Sequence, residues 1–200
     1  MENPKNVLLF CGKRKSGKDY LTEWLIKHLN SDSKSQAVIL RLSGPLKECY
    51  AENHGLDFSR LLDSSDYKEK YRKDMITWSE KIRNEDPSYF CLKAIQKYQA
   101  ETFPIWIVSD CRRKTDFQFF DNNYPGKTIK IRIKASEEVR NERGFIFQSG
   151  VDDAESEWDL LNSMLILLLT YFLETVQEKM KVKNLQKDDL IDGQITDKNR

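Results

Sequence analysis

The sequence predicts an α/β protein, a three-layer fold in which helices flank a central parallel sheet. Three observations point there. Short apolar runs recur along the chain with helix-like stretches between them, which is the pattern of βαβ units. The first run, "VLLFC", is apolar throughout, as suits a strand buried on both faces. A loop framed by glycines, "GKRKSGK", follows it at once and opens onto an amphipathic stretch.

Val7 to Cys11 is the first strand. Leu21, Trp24, Leu25, His28 and Leu29 then fall at helical spacing and mark one apolar face. "NSDSKS", Asn30 to Ser35, is a polar loop. Val38 to Leu42 is the second strand, and "SGP" punctuates after it. A mainly helical stretch is expected over Leu46 to Gln99, broken near Gly55 and Pro87. Ile105 to Ser109 is the third strand and Thr128 to Ile133 the fourth. Thr115 to Phe120 is a short helix between them, and "NNYPG" a turn. The polar, Lys- and Asp-rich end of the chain is expected to fray.

A chain of 200 residues fits one domain with one core. Charged residues make up 32% of it, yet the net charge is only +1. That balance, without interleaved aromatic and basic residues, argues against a nucleic-acid partner. Cys11, Cys49, Cys91 and Cys111 form no CxxC pair, and His28 and His54 lie far from them in sequence. A structural zinc site is therefore not expected, and a reducing compartment is. The first apolar run is too short for a signal peptide. The run Leu160 to Leu173 contains Asn162 and Ser163 and falls short of the ~20 residues needed to cross a bilayer. No membrane span is expected. The chain ends Lys198-Asn199-Arg200, which is not a peroxisomal signal, so the cytosol is the expected location.

Gly12 to Lys18 matches the first seven positions of the phosphate-loop pattern G-x-x-x-x-G-K-[ST]. Glycines let backbone N–H groups approach phosphates, and the helix N-terminus adds positive potential. Lys18 supplies a mobile cation. Asp19 stands where a hydroxyl residue is usual. Beside a polyphosphate a carboxylate repels, unless a Mg²⁺ ion lies between them. Two readings stay open: Asp19 holds the metal directly or through water, or it is a helix-capping aspartate with no metal role. Lys13, Arg14 and Lys15 add three charges inside the loop. Such a concentration fits two phosphorylated ligands meeting here rather than one nucleotide alone.

Four segments together closely resemble animal-type phosphomevalonate kinase. They are "LLFCGKRKSGKDYLTE", "LRLSGPLKECYAENHGLDFSRLLDSSDYKEKYRKDMITW", "PIWIVSDCRRKTDFQFF" and "RGFIFQSGVDDAESE". The resemblance runs from Val7 to Glu157. The loop alone is shared with some phage deoxynucleotide kinases, whereas its combination with "SGPLKE", "YKEKYRKDM" and "GVDDAESE" is specific. The resemblance implies a P-loop kinase of three layers, one domain over residues 1–200, with a mobile lid at about 140–157. It implies transfer of the γ-phosphoryl of ATP, with Mg²⁺, to 5-phosphomevalonate, giving 5-diphosphomevalonate and ADP on the mevalonate route to isoprenoids and sterols.

The site residues are carried over by motif. Lys13, Arg14, Lys15, Ser16, Gly17, Lys18 and Asp19 would hold the ATP phosphates, and Arg143 would contact ATP from the lid. Arg112 and Arg113 match the family's paired arginines and, with Lys18 and Asp19, would carry the chemistry. Arg41, Lys47, Lys68, Arg72 and Arg83 match basic positions on the acceptor side. Asp110, at the end of "IWIVSD", is either a Mg²⁺ carboxylate beside Asp19 or a helix or turn cap. The acidic group Asp152, Asp153, Glu155 and Glu157 is expected on the lid surface, closing onto basic residues when substrates bind, with a metal site as the lesser alternative. For Arg140, a lid contact and a solvated helix face are both open.

After Glu157 the family pattern breaks, and residues 158–200 form an atypical segment. A linker is missing, and Asn162 is the best match to a ligand-contacting asparagine. Two further activities stay open: a deoxynucleoside monophosphate kinase, and an inactive nucleotide-binding homologue with a disrupted C-terminus. A monomer is expected.

Overall fold

The structure is a computed structural model that describes residues 4–31, 36–62, 66–149 and 152. Four parallel strands form one sheet in the order β2-β3-β1-β4. The strands are β1 (Asn6–Cys11), β2 (Ala37–Leu40), β3 (Ile105–Val108) and β4 (Thr128–Arg132). Helices surround them: α1 (Lys18–Asn30), α2 (Ser43–His54), α3 (Phe58–Leu62), α4 (Asp66–Glu85), α5 (Tyr89–Lys97), α6 (Lys114–Asn123) and α7 (Glu137–Glu142). The expected three-layer α/β architecture is therefore present. Among the described residues, no helix is long and apolar enough to cross a membrane.

The apolar strands go where their composition sends them. β1 is central, pairing Val7 with Trp106 of β3 and with Thr128 of β4. Val7, Leu9, Phe10, Trp106, Ile107 and Val108 are fully buried. Removing each such side chain from water contributes ~1.5–3 kcal/mol. Trp106 also needs a partner for its indole N–H, and donates it to Ala100 O and Phe103 O, at 2.7 and 3.0 Å. A second apolar cluster, Tyr50, Ala51, Leu61 and Met75, joins α2, α3 and α4. There Tyr50 Oη donates to Asp74 at 2.5 Å, tying α2 to α4.

Several boundaries differ from the sequence reading, each for a physical reason. "SGP" does not stop the chain but forms the first turn of α2. Pro45 is tolerated there because first-turn N–H groups have no partner inside the helix. Gly44 is required there, since a Cβ would lie 2.3 Å from Tyr98 Oη. β2 ends at Leu40 because the N–H of Leu42 turns to Asp110 instead of the sheet. α6 runs on through Asn122 and Asn123, so the turn begins only at Tyr124. The expected break near Gly55 is present, and the one near Pro87 falls between α4 and α5. His28 was placed on the buried face of α1, yet it is exposed and packs its ring on Trp24 at 3.8 Å. Thr22 and Leu25 are the buried positions of that helix.

Asn162, Asp153, Glu155, Glu157 and the segment 158–200 lie outside the described residues.

Candidate active site

The loop between β1 and α1 is shaped by what its glycines allow. Gly17 precedes α1 at φ 93, a left-handed conformation that other residues avoid. The loop thus delivers the start of α1, with its free N–H groups, to one spot. Within it, Ser16 is 5% exposed, and its hydroxyl has no hydrogen-bond partner among the described residues. A buried hydroxyl left unmatched is costly, and it fits a loop that completes itself around a ligand oxygen.

Lys18 and Asp19 face each other. The Lys18 ammonium lies 3.1 Å from Asp19 Oδ1, and α1 shows no side-chain cap. Asp19 is therefore not a capping residue, although it sits in the favourable first turn. Loss of some surrounding water would raise its pKa, although the side chain is exposed. Lys18, with Arg41 and Arg112, outweighs that and holds the carboxyl below its ordinary value.

The segment around α7 reaches over this loop. Arg143 Nη1 donates to Lys15 O at 3.3 Å and stands above Gly17, where a Cβ would come within 3.1 Å of it. Arg14 points to the same segment, 2.7 Å from Asp152 Oδ2 and 3.3 Å from Gln148 Oε1. The acidic group was expected to meet basic residues, and its described member, Asp152, meets Arg14. Of the two alternatives for Arg140, the solvated helix face is not observed, and its contact is with Phe145, inside the stretch matched to the lid. Arg140 is buried, with its guanidinium 4.1 Å from the centre of the Phe145 ring.

A crowd of cations acts on Lys47. Burial first, then Lys68, Arg112 and Arg72, push the Lys47 ammonium down to about 8, against the opposing pull of Asp110. Arg112 bears on Asp19 as well as on Lys47, so its charge is felt at both the phosphate loop and this cluster. Arg72 is held from its own helix, where Glu69 grips Nε at 2.8 Å and also accepts from Nη2. Arg41 sits at the rim, 2.8 Å from Glu23 with both side chains exposed.

The remaining basic candidates have other partners. Arg83 Nη1 lies 2.7 Å from Asp116, whose side chain is fully buried. The Arg113 guanidinium is buried against Glu80. Asp116 also accepts the backbone N–H of Arg112 and Arg113, at 2.9 and 3.0 Å. Of the paired arginines, then, Arg112 takes part in the cation cluster, while Arg113 joins the framework behind it. Asp110 accepts from Leu42 N at 2.6 Å and Ser43 N at 2.9 Å, so its carboxylate caps α2. Of the two readings left open for Asp110, the cap is the one this geometry shows. Among the described residues, no three His, Cys, Asp or Glu side chains gather as a metal site.

Sequence reasoning missed Glu69, Glu80, Gln148 and Asp116. Only Asp116 carried a signal, a carboxylate three residues past Arg113 at the start of a helix.

Comparison with known proteins converges on one family. The family model described as phosphomevalonate kinase matches residues 10–126, a span that takes in the phosphate loop, α2 to α5 and the paired arginines. A curated phosphomevalonate kinase of Drosophila melanogaster is 42% identical over 156 residues, covering 77% of this chain and 80% of that relative. Matches of that identity and extent leave one assignment: the chain belongs to the phosphomevalonate kinase family.

Proposed function

We propose that this chain transfers the γ-phosphoryl group of ATP to 5-phosphomevalonate, giving 5-diphosphomevalonate and ADP. The observation that carries the reading is the gathering of Lys68, Arg72 and Arg112 around Lys47, with Arg112 acting also on Asp19 beside the phosphate loop. One anionic subsite would be enough for a nucleotide alone. Two facing anionic subsites suit a donor polyphosphate and an acceptor that is itself a phosphate.

The chemistry follows from the charges. An acceptor phosphate oxygen attacks the γ-phosphorus as the bond to the β-phosphate oxygen breaks, and ADP leaves with that electron pair. The acceptor is already ionised near neutral pH, so no strong base is needed, and none stands out in the site. Catalysis is positioning plus charge neutralisation. Lys18, Arg14 and the α1 N-terminus face the donor phosphates, with Lys13, Lys15 and Arg143 around them. Lys47, Lys68, Arg72 and Arg112 face the acceptor, with Arg41 at the rim. Arg83 and Arg113 act behind them through Asp116 and Glu80.

The donor atoms fit a hard cation. Asp19 offers an exposed carboxylate beside the loop, and Ser16 a buried hydroxyl without a partner. These two would hold Mg²⁺, which neutralises phosphate charge when bound. Four free thiols suit a reducing compartment, and we place the enzyme in the cytosol as a monomer with a single kinase domain.

The test is an acceptor panel with ATP and Mg²⁺. ADP release is expected with phosphomevalonate and little with nucleoside monophosphates, and the reverse preference would overturn the reading. Asp19→Ala should lower turnover and weaken its dependence on Mg²⁺. If both stay unchanged, Asp19 has no metal role.

A further inference from the structure

One neutral side chain touches both halves of the site. Gln148 lies beyond α7, and its Oε1 accepts from Arg14 of the phosphate loop at 3.3 Å. The same side chain hydrogen-bonds the Glu69 carboxylate on α4. A carboxylate only accepts, so the amide NH₂ donates to it. Glu69 in turn grips Arg72 through two guanidinium nitrogens, and Arg72 is one of the cations that bear on Lys47. The chain of contacts is thus Arg14, Gln148, Glu69, Arg72, running from donor side to acceptor side.

The position of Gln148 is fixed from behind. Its backbone N–H donates to Asp152 Oδ2 at 2.8 Å, and its carbonyl accepts from Asp152 N at 2.9 Å. Asp152 Oδ2 also holds Arg14 Nη1 at 2.7 Å, the nitrogen that Gln148 shares. The amide is therefore held in place between its two partners. The requirement at this place is specific. The group must accept from an arginine and donate to a glutamate at once. A carboxylate can do only the first, an ammonium only the second, and an alkyl chain neither.

We propose that Gln148 is a positioning residue that couples the two subsites: through Glu69 it ties the orientation of Arg72 to that of Arg14, so that filling one subsite orders the cation of the other. The inference rests on the phosphomevalonate kinase reading given above. Coupling of this kind is reciprocal, so ATP tightens acceptor binding by the same factor as acceptor tightens ATP.

The test uses the full chain and three measurements: KM for ATP, KM for phosphomevalonate, and the factor by which a non-hydrolysable ATP analogue tightens phosphomevalonate binding. Gln148→Glu keeps an oxygen for Arg14 but loses the donor to Glu69. It should leave phosphomevalonate binding to the ligand-free chain within about twofold, bring the coupling factor towards one, and so raise both KM values at saturating partner, about 5-fold or more. Gln148→Ala, which loses both contacts, should abolish the coupling as well. Adding Glu69→Gln to Gln148→Glu restores a donor between the two positions and should recover part of the coupling. A purely structural role would instead lower Tm and weaken phosphomevalonate binding to the ligand-free chain, with the coupling factor kept. That outcome, or an unchanged coupling factor in Gln148→Glu, overturns the proposal. If the unaltered chain releases no ADP with phosphomevalonate, it is the functional reading that fails, before any variant is compared.

Discussion

Two groups of cations stand a short distance apart and behave in opposite ways. At the junction of α4 and α6, Arg83 is paired with Asp116 and Arg113 with Glu80. These charges are buried and answered inside the protein. Around Lys47, burial first and then Lys68, Arg112 and Arg72 bring the lysine pKa down to about 8. Like charges crowded this way destabilise the ligand-free fold. The difference separates framework from site among residues that look alike in sequence. An arginine with a buried carboxylate holds the chain in place. Cations gathered around a buried lysine, Arg72 among them although it also holds Glu69, suit the anionic acceptor proposed above. The two groups are connected, because Asp116 also fixes the backbone that aims Arg112.

The sharpest way to break this contrast is to remove the framework charge. Asp116→Ala should destabilise the protein by about 3–5 kcal/mol, because Arg83 would be left buried without its partner. Thermal or urea unfolding reads it directly. An effect on turnover alone would mean that Asp116 belongs to the site and not to the framework. The next largest effect should come from the loop. Lys18→Met should lower kcat about 10²- to 10³-fold with little change in Tm, if its ammonium serves the donor phosphates as proposed.

A pH experiment sharpens the other half of the contrast. In the ligand-free chain the pKa of Lys47 is depressed, so between about 8 and the ordinary lysine range the unfolded chain carries a proton that the folded chain lacks. Stability should therefore rise with pH across that window, and acceptor binding should weaken, by up to about tenfold per unit. Lys47→Arg keeps its charge and should flatten the fall in kcat/KM above pH 8. A parallel fall in both enzymes would assign the pH effect elsewhere. The smallest change is expected at the α2 cap. Asp110→Ala should cost about 1 kcal/mol in unfolding free energy. A collapse of Mg²⁺-dependent turnover without that loss would favour the metal reading for Asp110.

The sheet and the phosphate loop were legible because each depends on local sequence. A strand buried on both faces must be apolar throughout, and Val7 to Cys11 is. A loop that turns at φ 93 calls for the glycine found at position 17. What escaped the sequence depends on partners far along the chain. The start of α2 is set by Asp110, 68 residues from Leu42, and no local rule places a helix start there. Arg83 and Arg113 read as phosphate ligands, and each instead meets a carboxylate 33 residues away. The sequence lists these charges but does not say which of them face one another. Gln148 gave no signal at all, because an amide is informative only once both of its neighbours are known.

The sheet order β2-β3-β1-β4 also sets a timetable for the chain as it is made. No two hydrogen-bonded strands are consecutive except through a long excursion, and β1 pairs with segments that begin at Ile105 and Thr128. At about 5–20 residues per second, β1 leaves the ribosome ~5–20 s before its first partner. For that interval Val7, Leu9 and Phe10, fully buried in the finished protein, have no sheet to join. This is the stretch on which holding chaperones would act, and the one whose solubility would limit expression at speed. The centre of the sheet is the first part synthesised, and it is completed only when β4 arrives.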